Sequence, residues 1–139
     1  MRRLILATTA AVALTLLATS AASATADDIR VIDGDTIEIN GMPIRILSID
    51  TPETWKPRCA NEYRLGLRAK ARMQQLVDSG DVTYKVAGFD RFGRILADVF
   101  AGKLDVGETL LNEGYALPYV AGPVAKAQRL NVWCPKELP

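Results

Sequence analysis

The chain contains no histidine. That absence removes the usual general base near neutral pH and the commonest ligand of zinc, copper and iron. Cysteine is scarce, with only Cys59 and Cys134 present, which excludes a thiolate-rich metal centre. A basic excess is missing too, since 17 Lys and Arg face 16 Asp and Glu. Proteins that work through unspecific attraction to polyanions are normally basic. Contact with such a partner would therefore rest on a few local arginines. Internal repeats, low-complexity tracts and linkers are also absent.

The one long apolar run is at the start. Met1-Arg2-Arg3 precedes an apolar stretch from Leu4 to Ala18 and then the small residues TSAASATA. A basic start, an apolar centre and an A-x-A site in that order predict a secretory signal peptide over residues 1–26, cleaved after Ala24 or Ala26. A membrane anchor is the competing reading. It suits the run less well, because Thr8, Thr9 and Thr15 interrupt it and a span needs roughly 20 apolar residues. Without Arg2 and Arg3 the mature net charge is about −1. Residues 27–139 then form one domain of ordinary size, secreted or periplasmic, with no membrane contact after cleavage. In an oxidising compartment an even cysteine count favours a Cys59–Cys134 disulfide over two separate buried thiols. Closing so long a loop would contribute roughly 4 kcal/mol on the chain-entropy model.

From Ile29 the pattern is that of strands: IRVID, TIEI and PIRILSI are short and β-branched. Asn40-Gly41 between the last two predicts a tight hairpin, because both central residues of such a turn take positive φ. The segment CANEYRLGLRAKARMQQLVDSG places Leu65, Ala69, Met73, Leu76 and Val77 at helical spacing, with arginines on the solvated faces. Strands return as DVTYKV and RILADVF around the loop AGFDRFG. A short helix follows, with Asp105 as N-cap and Gly114 as its stop. One more is expected around Val124 to Leu130. The sum is a mixed α+β, β-rich domain.

The chemistry gathers in DGDTIEINGMPIRILSIDTPET, which holds Asp33, Asp35, Asp50 and Glu53 around Arg45. Oxygen ligands alone suit a hard cation, Ca²⁺ or Mg²⁺. An EF-hand is excluded by position. Counting from Asp33, Glu38 falls where glycine is required and Ile44 where the bidentate glutamate belongs. The hairpin instead carries Asp35 and Asp50 to the same open end of one ribbon. Arg45 and Arg94 could each present a planar fork to a phosphate. With no histidine, Glu53 is the natural group to orient or deprotonate water. Turn chemistry alone would also account for Asp-Gly-Asp-Thr and Asp-Thr-Pro-Glu.

Four ordered segments, VIDGDT, RILSIDTPET, DRFGR and LNVW, resemble the staphylococcal nuclease-like thermonuclease family. The resemblance implies a five-stranded OB-fold barrel with about three helices. It also implies Ca²⁺-dependent hydrolysis of DNA and RNA to 3′-phosphorylated products; a preference for single strands and a monomeric state are further expectations. By motif match Asp35 and Asp50 take the metal-carboxylate positions and Thr51 contributes its backbone carbonyl. Arg45 and Arg94 match the phosphate-binding arginines, Glu53 the water-activating glutamate, and Asp33 a supporting acid behind the metal ligands. Phe92 stands where a tyrosine is usual and could stack on a base, and Tyr119 lies near the family's nucleotide-contacting tyrosines. Trp133 is expected to be structural. The near-neutral mature charge departs from the strongly basic reference nuclease. A catalytically silent OB-fold module that binds single-stranded nucleic acid or a protein is the alternative reading.

Overall fold

The structure, a computed structural model, describes residues 28–136. The leader expected over residues 1–26 lies outside the described residues. Strand β1 (Ile29–Asp33) runs antiparallel to β2 (Thr36–Ile39), with an irregular step between Val31 and Asp33. Asn40 and Gly41 take φ of 51° and 81° and return the chain as β3 (Met42–Ile46), pairing Ile39 with Met42 and Thr36 with Arg45. This is the expected hairpin. The strand foreseen through PIRILSI stops earlier, at Ile46, because Ser48 turns the chain with φ of 66°. The next residues form a separate short strand, β4 (Ile49–Asp50).

Helix α1 (Ala60–Val77) buries Ala69, Met73, Leu76 and Val77 of the stripe that the sequence periodicity marked, while Leu65 at its start is half-buried. It packs against β1, the first strand of the sheet. Met73 has no exposed surface, and burying such a side chain stabilises by about 2 kcal/mol through transfer alone. Beyond the helix, β5 (Val82–Phe89) and β6 (Ile95–Ala101) form a second hairpin. It is longer than expected, and the loop AGFDRFG shrinks to a turn at Asp90–Arg94 because β5 persists to Phe89. Strand β6 then lies parallel to β3, with Arg45 beside Leu96. The order β1-β2-β3-β6-β5 with this single parallel neighbour is that of a five-stranded, partly open OB-fold barrel.

The last third closes the site. Strand β7 (Leu104–Asp105) leads into α2 (Val106–Asn112), where the Asp105 side chain accepts from the Glu108 N–H as an N-cap. Strand β8 (Leu117–Pro118) pairs with β4, setting Leu117 opposite Asp50. Helix α3 (Pro123–Trp133) starts on proline and continues three residues past the expected Leu130. It carries Trp133 into the interior as foreseen. Cys59, which caps α1, is joined to Cys134, which ends α3, with Cα atoms 5.9 Å apart. The disulfide thus ties the start of one helix to the end of the other. Among the described residues no helix is long and apolar enough to cross a membrane.

Candidate active site

The centre of the site is built by the hairpin. Its register sends Arg45 to the end where β4 departs, with only 13% of its side chain exposed. One nitrogen, Nη2, lies 2.9 Å from Asp50 Oδ1 and 3.3 Å from Asp35 Oδ2. The other, Nη1, donates to the carbonyls of Ile46 and Ile49 at 3.2 and 2.9 Å. The two acids therefore converge on a single atom, Nη2 of Arg45, at the end of the ribbon to which the hairpin was expected to carry them. Arg45 itself is engaged as a clamp, with both terminal nitrogens occupied.

Asp35 sits in the turn between β1 and β2 and is buried. Its Oδ1 accepts from Thr36 Oγ1 at 2.9 Å and its Oδ2 from the Thr51 N–H at 3.2 Å. Asp33 supports it from behind, accepting the Asp35 N–H at 3.3 Å. The turn lies directly on neighbouring chain at Gly34, where a Cβ would come within 2.7 Å of Ala69 and 2.8 Å of Thr51 Oγ1. Burial pushes the Asp35 carboxyl up to about 6, with Arg45 pulling the other way and Asp33 adding repulsion. Asp50 is also raised, first by desolvation and then by Asp35, against Arg129 and Arg45.

Arg129 was not anticipated. It is buried on α3, its Nε is 2.7 Å from Asp50 Oδ2, and its Nη1 donates to the Val120 carbonyl at 3.0 Å. The available signal was its spacing. Arg129 and Trp133 are the buried residues of α3, one turn apart, so the arginine shares the inward face with the tryptophan.

The opposite wall is the Asp90–Arg94 turn. Asp90 Oδ1 accepts the N–H groups of Phe92 and Arg94, and its Oδ2 accepts from Arg94 Nε at 2.7 Å. Desolvation opposes ionisation of Asp90, but these donors from Arg94 and Phe92 hold its carboxyl below the usual range. The guanidinium of Arg94 is aimed by this acid, another residue that the spacing did not single out for a role. Glu53 is exposed on the cleft, and its carboxyl is raised by partial desolvation and by Asp35, Asp50 and Glu62, with Lys126 opposing.

These groups share one cleft of about 670 Å³ whose lining includes Arg45, Asp50, Glu53, Arg94, Lys126 and Arg129. Asp35 and Thr51 are buried behind it. Tyr119 faces two guanidinium groups, Arg45 at 5.3 Å and Arg129 at 5.2 Å, and keeps 48% of its surface open. Phe92 is 69% exposed beside Arg91 and Arg94. Both aromatics belong to the cleft lining.

Among the described residues no group of three or more acids or cysteines is gathered closely enough to hold an ion. The chemistry of the donor set nevertheless suits a hard cation. Asp35 and Asp50 converge, their surroundings offer no soft ligand, and desolvation opposes the ionised form of both acids, which a bound cation would offset.

The family description "Staphylococcal nuclease homologue" matches residues 43–134. That span begins past Asp35 and contains Arg45, Asp50, Thr51, Glu53, Arg94, Tyr119 and Arg129. Two relatives from Bacillus subtilis are similar over 75% of this chain: Endonuclease YncB, 39% identical with 59% of its own length covered, and SPbeta prophage-derived endonuclease YokF, 38% identical with 42% covered. Succinoglycan biosynthesis protein ExoI of Rhizobium meliloti is 37% identical, with 63% of this chain and 48% of the relative covered. The chain thus spans about half the length of these curated relatives.

Proposed function

The chain belongs to the staphylococcal nuclease family, and from that membership and the cleft we propose that it is a Ca²⁺-dependent nuclease. Its substrates would be DNA and RNA, cut to 3′-phosphorylated products. The observation that carries this reading is the convergence of Asp35 and Asp50 on one nitrogen of Arg45, with Glu53 and Arg94 lining the same cleft.

Asp35, Asp50 and the Thr51 carbonyl would hold the ion. When bound, Ca²⁺ supplies positive charge to a phosphate oxygen and makes its bound water more acidic. The remaining roles fall to the chain itself. Arg94, aimed by Asp90, offers a planar fork to the phosphate and stabilises charge that develops on it. Arg45 holds the acids in register and adds its charge to the same region. Glu53, with a carboxyl raised from its ordinary value by desolvation and neighbouring acids, is a better proton acceptor from water than a solvated glutamate. Phe92 and Tyr119 give unpaired bases a surface to stack on, which favours single strands.

The signal pattern at residues 1–26 and the Cys59–Cys134 disulfide support a location outside the cytosol, and we take the protein to act as a monomer. One observation favours a second reading, a silent OB-fold module that binds nucleic acid without cutting it. Both terminal nitrogens of Arg45 are already engaged by acids and carbonyls, which leaves less of that fork for a phosphate. The decisive experiment incubates purified protein with denatured DNA and with RNA, with Ca²⁺ and with chelator. Degradation that needs Ca²⁺ and leaves 3′-phosphates is expected. Intact nucleic acid from neutral to alkaline pH, with binding retained, selects the silent module.

A further inference from the structure

Glu62 is a carboxyl side chain with no exposed surface, and apart from its electrostatic effect on Glu53 the catalytic scheme gives it no role. It lies in the first turn of α1, with its N–H on the Cys59 sulfur at 3.3 Å. Its Oε1 accepts from the Glu53 N–H at 3.5 Å, and its Oε2 accepts from the Arg58 N–H at 2.5 Å. A single buried acid thus pins both ends of the loop that carries Glu53. One turn further along the helix, a Cβ on Gly66 would stand 2.6 Å from the Pro52 carbonyl and 3.0 Å from the Glu53 carbonyl. The backbone of Glu53 therefore rests directly on α1, in a groove that only glycine leaves open.

We infer that Glu62 is the positioning residue of Glu53, holding the loop by one N–H at each end, that of Glu53 and that of Arg58, while Gly66 gives the loop its seat. The inference rests on Glu53 being the water-activating group. Burying an ionised side chain is costly unless it is well hydrogen-bonded. Here the partners are loop amides, so the carboxylate spends its acceptors on loop geometry. A shift of about 1 Å at the base would be felt chiefly in turnover, because alignment with the attacked phosphate is what the loop supplies.

A double-mutant cycle tests this. In the full chain, Glu62→Gln retains one acceptor oxygen but sets an amide donor against a backbone N–H. It should lower kcat by about 10-fold or more with KM within about 2-fold. In the Glu53→Gln background the same change should cost less than about 2-fold further, since the group it positions has already been removed. Losses that multiply in full, or an unchanged kcat in Glu62→Gln, overturn the inference. A wild-type rate in Glu53→Gln alone overturns the catalytic reading together with it, and is told apart because no Glu62 variant is involved. If Glu62→Gln fails to fold, Gly66→Ala takes its place, displacing the same loop from the other side. Its kcat loss should likewise vanish on Glu53→Gln, and a loss that persists there counts against the proposal.

Discussion

Arg45 is 13% exposed and shared among Asp35, Asp50 and two carbonyls, whereas Arg94 is 30% exposed and held by one acid, Asp90, four residues before it. The two arginines line one cleft but are built differently. Around Arg45 the barrel end is a buried ion network, closed on the far side by Arg129 from α3. Around Arg94 a five-residue turn presents its charge to solvent, with Phe92 beside it. The difference separates two jobs. Charges that must converge are held inside, where a lost partner is expensive. On the proposed reading, charges that would meet the substrate stay at the surface, where they adapt.

Breaking the buried side should have the largest effect. Arg45→Ala leaves two acids without their shared cation and should cost about 3–5 kcal/mol in urea unfolding, together with most of the activity. On the open side, Arg94→Ala should lower kcat by about 10²-fold or more while changing stability by roughly 0.5 kcal/mol or less, since an i,i+4 surface pair contributes little. Equal stability losses for the two variants would erase the distinction between the walls.

Asp35 supplies a pH test of the buried side. Its carboxyl titrates near 6 when folded against an ordinary value of 3.8, so the folded state keeps a proton that the unfolded chain has released. Its contribution to stability is fully present below about pH 4 and is lost as pH rises through about 6, by roughly 2–3 kcal/mol in the ion-free protein. Asp35→Asn should flatten that slope, and Ca²⁺ at neutral pH should raise the midpoint of the wild type alone. The smallest effect belongs to Phe92→Ala. Losing one stacking surface should raise KM on single-stranded substrate by about 5-fold and leave kcat unchanged, as measured by steady-state kinetics.

Much of this was legible in the residues. Asn40-Gly41 announces the hairpin because few other pairs accept two positive φ values, and the α1 stripe follows from helical periodicity. Asp105 and Gly114 mark the ends of α2 through local hydrogen bonding and a positive φ. Strands β4 and β8 were not legible, since two residues make no pattern and their pairing is all that defines them. Arg129 and Glu62 were missed for a related reason. In the chain they read as ordinary solvated charges of amphipathic helices.

What the sequence by itself determined is what acts within a few positions: turns, helical faces, caps and the kinds of ligand at hand. Only the tertiary structure decided which charges are buried and with whom. Arg129 meets Asp50 across 79 positions, and Glu62 meets amides that a loop brings back onto its own helix. A charge takes its meaning from desolvation and from the partner that compensates it, and both exist only once distant segments have packed together.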